Sequence, residues 1–391
     1  MKLRAANLLL VLCIALAGCS TPGRPSSAHP GPSPHAPGAA AKPTPSGPGS
    51  IDDFVPVAER YVEEHRGLKF KSDVKVTAVA DAEFRQRLAG KEREDEAAFR
   101  TEAKVLGALG LLTGHPDLAQ AQKALASASV IGYYDPKSKE LVVRGVEPSP
   151  GVRRVVVHEL THALQDQWFA IDRPVHPDDE SDLAFSTLVE GDAVRIEKQY
   201  VAGLSEADRK SVRAEELAAG GPPPDVPGVL LELTAFPYVV GPRFTQALID
   251  AGGQARLDAA FSDPPTTTAQ VLHPDRFLAG AGSPPAVDAP AGDGAIIDRG
   301  VVGEFGLRLI MERLAPSGQI SDAEQQAVAL GWSGDRYVAW ESGDAACVRT
   351  RFVMSGPSAT GSLVKVLENF ARGHVGTTIQ GGGPILFTSC G

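Results

Sequence analysis

The sequence predicts an α+β protein, predominantly helical, with a small sheet ahead of a central helix and a C-terminal α/β part. Helical spacing of apolar residues recurs through most of 51–330, the stretch 130–143 reads as a hairpin, and strand patterns return after 331. The chain has 391 residues, 43% hydrophobic and 22% charged, which is ample for a buried core. Its net charge of −10 and pI near 5.4, with no basic run beyond the first few residues, exclude a nucleic-acid partner.

Met1-Lys2-Leu3-Arg4 is basic, and Ala5 to Ala17 is an apolar run of signal-peptide length. It falls short of the roughly 20 residues that a membrane-spanning helix needs. The run ends in Leu16-Ala17-Gly18-Cys19, which resembles the lipobox of bacterial lipoproteins. That resemblance implies a signal peptide over 1–18, cleavage before Cys19, a lipid on Cys19, and a chain held at the cell membrane outside the cytoplasm. Residues 19–50 are almost all Pro, Ser, Gly, Ala and Thr, a composition that forms a tether rather than a core. No later stretch is apolar enough to span, so the lipid is expected to be the anchor. With Cys13 removed and Cys19 lipidated, Cys347 and Cys390 remain, and outside the cytoplasm they are expected to pair.

Ordered structure is expected from Ile51, in a metal-bearing core over 51–280 and a C-terminal part over 281–391. Phe54, Val57, Ala58, Tyr61 and Val62 predict a first helix ending at Gly67, and Val74–Val79 alternates as a strand. Residues 81–126 read as helical with breaks near Gly90 and at Gly114-His115-Pro116, and the charged run 91–96 reads as a solvated helix face. Val130–Tyr134 and Glu140–Val143 predict a hairpin. Pro148-Ser149-Pro150 then precedes a helix over Gly151–Phe169. Asp178 and Asp179 are N-cap candidates for the next helix, and 197–220 reads as a charged outer helix. Val229–Leu233 and Phe236–Gly241 lead into a helix through Ala251. Pro264–Thr268 caps a short helix, and 278–293 reads as a loop. Helices are expected over 300–314, 321–330 and 363–371, with strands from 332 through about Val353 and over 377–389.

His158-Glu159-Leu160-Thr161-His162 carries the chemistry. A helix turns about 100° per residue, so His158 and His162 share one face and can hold one metal, with Glu159 beside it as a base. A further carboxylate ligand is expected on the following helix: Glu190, with Asp182 and Glu197 as alternatives. A metzincin would place Gly at 165 and His at 168, and Gln165 and Trp168 exclude that class. A glycine inside a helix is costly, so Gly191 points to close approach of the metal helix or of a substrate.

His158–Gln167 followed by Leu188-Val189-Glu190-Gly191-Asp192-Ala193 resembles gluzincin-type bacterial zinc metallopeptidases, many of them exported or lipid-anchored. The resemblance implies a zincin-like core, Zn2+ on His158, His162 and Glu190, and Glu159 as the general base of peptide-bond hydrolysis. It also implies that Asp192 orients a ligating histidine, that Tyr238 or His273 steadies the oxyanion, and that the hairpin offers an edge strand to an extended peptide. The chain departs from the best-known gluzincins at Val194, where they carry an aspartate. Two other readings remain at this level: a degenerate zincin serving as a cell-surface binding module, and a zinc amidase acting on cell-wall material.

Overall fold

The computed structural model describes residues 9–12, 49–91, 96–172, 178–280, 284–314, 320–381 and 383–391. The lipobox with Cys19, nearly all of the tether, and residues 92–95 of the charged run lie outside them. The fold is α+β and mostly helical.

Strand β1 (Leu9–Leu12) comes first, followed by α1 (Ile51–Arg66), β2 (Lys75–Val79), α2 (Asp81–Lys91), α3 (Glu96–Ala108) and α4 (Leu118–Ser129). Strands β3 (Val130–Asp135) and β4 (Glu140–Arg144) form the expected hairpin. The sheet order is β1-β3-β4-β2, with β2 parallel to β4 and the other pairs antiparallel. Leu9–Leu12, read from sequence as part of a signal core, thus pairs its backbone with the outer side of β3.

Helix α5 (Pro150–Phe169) lies across this sheet. Ser149 caps it by accepting from the Val152 amide at 3.2 Å, Pro150 opens its first turn, and Glu215 accepts from the Gly151 amide at 3.1 Å. Its apolar flank (Val156, Val157, Leu160, Ala163, Leu164) packs with Phe54, Ala58 and Val62 of α1 and Leu141 and Val143 of β4. A β-carbon on Gly132 would meet Val155 Cγ1 at 2.7 Å, so glycine there lets β3 lie close on α5.

Helix α6 (Asp179–Gly203) starts at the predicted cap, where Asp178 accepts from the Ser181 amide at 3.2 Å. It runs on well past Glu197, which is buried within it rather than solvated, and α7 (Glu206–Ala219) follows. Helix α8 (Gly228–Ser262) contains both Pro237 and Pro242, positions that break a helix by sequence alone, and its backbone leaves helical φ/ψ only at the kink of Gly252 and Gly253. It crosses α6 where Gly191 and Gly241 meet: a β-carbon on Gly191 would lie 2.4 Å from the Gly241 carbonyl carbon. The close neighbour expected at Gly191 is therefore α8, not the metal helix.

The remainder comprises α9 (Thr268–Leu272), α10 (Pro274–Leu278), β5 (Ile296–Gly300), α11 (Gly303–Leu314), α12 (Asp322–Gly331), β6 (Trp332–Ser342), β7 (Ala345–Met354), α13 (Pro357–Gly373), β8 (Thr378–Gln380) and β9 (Ile385–Cys390). These strands form an antiparallel sheet ordered β5-β6-β7-β9-β8. Cys347 and Cys390 are direct cross-strand partners and form the expected disulfide. Thr268 donates its amide and hydroxyl to Glu180 at 2.6 and 2.7 Å, and Arg336 pairs with Asp178 at 3.0 Å, so the first turn of α6 is tied to α9 and to the C-terminal sheet.

Candidate metal centre

Helices α5 and α6 bring His158, His162 and Glu190 together, all buried, as a group able to hold a metal ion. His158 Nε2 and His162 Nε2 are 3.0 Å apart, and Glu190 Oε2 lies 3.2 and 3.3 Å from them. Of the sequence alternatives, Asp182 is exposed in the first turn of α6, and Glu197 sits behind His158 rather than in front of it.

Hydrogen bonding fixes which nitrogen of each ring faces the centre. Glu197 Oε2 is 2.8 Å from His158 Nδ1, and Arg154 holds its other oxygen at 2.7 Å. A carboxylate only accepts, so the His158 proton is on Nδ1 and the Nε2 lone pair is turned inward. Gln165 does the same for His162 without a charge. Its Nε2 donates to the Val189 carbonyl and to Asp192 Oδ2, each at 3.1 Å, so its Oε1, 2.9 Å from His162 Nδ1, must accept. Asp192 thus reaches a histidine only through Gln165, and is itself held by Arg66 at 2.7 Å and Arg195 at 2.8 Å. Arg66 also pairs with Asp258 of α8 at 2.6 Å, tying α1, α6 and α8 behind the site.

Two imidazole lone pairs and a carboxylate pointed at one another form a group that could hold a cation. The electrostatics agree. Burial alone would lower His158, but Glu190 and Glu197 outweigh it and push the ring up to about 10. Burial alone would raise Glu190, but His162 and His158 bring it down to about 2. A bound metal answers the same demand as the proton.

Glu159 stands beside this group with its two oxygens unlike. Oε2 accepts from the Tyr134 amide of β3 at 2.7 Å, while Oε1 is buried with no hydrogen-bond partner among the described residues. Burial pushes its carboxyl up to about 7, against the pull of His162 and His158. One oxygen is held by β3, and the other has no hydrogen bond among the described residues.

Tyr238, on α8 one turn before Gly241, places its ring centroid 6.4 Å from that of His158 at an interplanar angle of 25°. His273 is elsewhere: it joins α9 to α10, with Nε2 2.9 Å from the buried Glu304 of α11. From sequence, Glu197 reads as an alternative ligand or as the start of a charged outer helix, and Gln165 only as a mark against metzincins. Their places one heptad beyond Glu190 and three residues beyond His162 were the available signals. Comparison with protein-family models, curated proteins and solved structures finds no match to this chain.

Proposed function

We propose that this chain is a membrane-anchored, extracytoplasmic zinc endopeptidase with a zincin-like core, cutting peptide bonds with Glu159 as general base. The observation that carries the reading is the triangle of inward-facing atoms. Its sides of 3.0, 3.2 and 3.3 Å are close to the edge, about 3.3 Å, of a tetrahedron with zinc bonds of about 2.0–2.1 Å. Two imidazoles and one carboxylate suit zinc, and three protein ligands leave a fourth position open. The lipobox resemblance supplies the location.

When bound, zinc lowers the pKa of water towards about 7 and polarises a carbonyl. The chain's own groups supply the rest. Glu159 Oε1 takes the proton of the attacking water and returns it to the departing amine nitrogen, while Oε2 stays on the Tyr134 amide. In the described sheet both hairpin strands are paired on each side, and only removal of Leu9–Leu12 with a signal peptide would free the outer side of β3 to offer main-chain hydrogen bonds to an extended peptide. Of the two oxyanion candidates, Tyr238 is favoured over His273 because its ring lies 6.4 Å from that of His158.

The test is metal analysis of the purified chain together with cleavage of a mixed peptide library. One zinc per chain is expected, with cleavage lost on chelation. Glu159→Gln should keep the zinc and lose about 10²–10⁴-fold in kcat. Absence of stoichiometric zinc removes the reading. Zinc without cleavage favours a surface-binding module, and release of cell-wall fragments in place of peptides favours an amidase.

A further inference from the structure

Tyr134 touches the metal helix twice. Its amide donates to Glu159 Oε2 at 2.7 Å, and its phenol donates to Asp166 Oδ2 at 2.8 Å, seven residues further along α5. Seven residues are two helical turns, so both acceptors lie on one face, with His162 between them. The same Asp166 oxygen is met at 2.5 Å by Lys139 Nζ. Lys139 sits in the β3–β4 turn with φ 57, a left-handed conformation that a side chain-bearing residue rarely adopts. Its amide donates to the Asp135 carbonyl at 2.8 Å, and the Asp135 carboxylate holds the Lys137 amide at 3.0 Å and the Ser138 hydroxyl at 2.8 Å. A glycine would satisfy that backbone without strain, but only a long cation reaches Asp166 from it.

We infer that Lys139 and Asp166 form a clamp that holds Tyr134, and through its amide aims Glu159. The lysine is a positioning residue that touches neither the metal ligands nor the reacting atoms. The strained turn is retained because it sends the ammonium to the one carboxylate that also receives the Tyr134 phenol. β3 is thereby fastened to α5 at two levels, and the Glu159 carboxylate is left one way to point. This rests on the reading of Glu159 as the base, but the clamp has a readout of its own.

That readout is hydrogen exchange of the Tyr134 amide in the full chain, resolved by fragmentation mass spectrometry. Two variants are compared with the parent: Lys139→Gly, which removes the clamp and the backbone strain together, and Lys139→Met, which keeps the strain and the aliphatic stem. In both, the Tyr134 amide is expected to exchange at least about tenfold faster, with Leu141–Val143 of β4 unchanged, and Lys139→Arg should restore protection. Zinc affinity should match the parent, because no ligand is touched. Against peptide, kcat should fall about tenfold with KM within about twofold. Parent-like exchange at Tyr134 in both variants overturns the clamp, and faster exchange with an unchanged kcat overturns its role in aiming Glu159. If the parent cleaves no peptide, the peptidase reading fails by itself and exchange at Tyr134 alone decides the clamp.

Discussion

At the residue scale, the centre is built by pairing each inward lone pair with an outward proton acceptor. Glu197→Gln removes the charge behind His158 and should weaken zinc binding about 10–100-fold, read by competition with a chromogenic chelator. Parent-like affinity would remove Glu197 from that role. A second buried acid, Glu102, has neither oxygen bonded among the described residues, and burial pushes it up to about 8 from 4.5. Its folded pKa lies above its unfolded one, so its contribution to stability is complete below pH 4.5 and is lost as pH rises towards 8. Glu102→Gln cannot ionise, so thermal melts should show the variant gaining on the parent across that window. Parallel pH profiles would sink the assignment. The candidate ligands were legible because their spacing is local: two histidines four apart and a glutamate on the next capped helix. Glu197 and Gln165 were not legible as orienters, because their partners are chosen by how α5 and α6 face each other, and a charged residue in a charged stretch reads as solvated.

At the element scale, caps did most to make the fold readable. Asp178, read as a cap from sequence, acts on the amide three residues on, and Ser149, read only as part of the Pro-Ser-Pro break, caps α5 in the same way. Helix α8 was harder. Pro237 and Pro242 each remove an amide donor and crowd the preceding turn, yet the helix continues through them, packed along α6. The short strand β5 was missed because Ile296–Gly300 offers too few alternating residues to stand out from the Gly- and Pro-rich segment before it. What no local pattern could supply is the partner of Gly191. With a β-carbon there only 2.4 Å from the Gly241 carbonyl carbon, Gly191→Ala must push α8 off α6. The overpacking should cost about 1–3 kcal/mol in urea unfolding, and should carry Tyr238 away from His158. A variant as stable as the parent would mean that the helices slide apart without loss.

At the scale of the whole molecule, the packing divides between a core around α5 and the first sheet, another along α6 and α8, and a large one that joins α3, α11 and α13 to the second sheet. The disulfide sits with Val338 and Trp340 in a small cluster on that second sheet, and none of the metal-facing residues belongs to it. Its closed loop of 43 residues contributes about 4 kcal/mol by restricting the unfolded chain. Metal binding stabilises by a different route, mass action on the folded state alone. Separate placement has a thermodynamic consequence: chelator and reductant remove two terms that share no residue. Their effects on unfolding free energy, each measured alone and then together, should sum to within about 0.5 kcal/mol. A large excess or deficit in the sum would mean that the sheet stapled at Cys347 and Cys390 and the helices around His158 are energetically coupled, so that neither perturbation is felt locally.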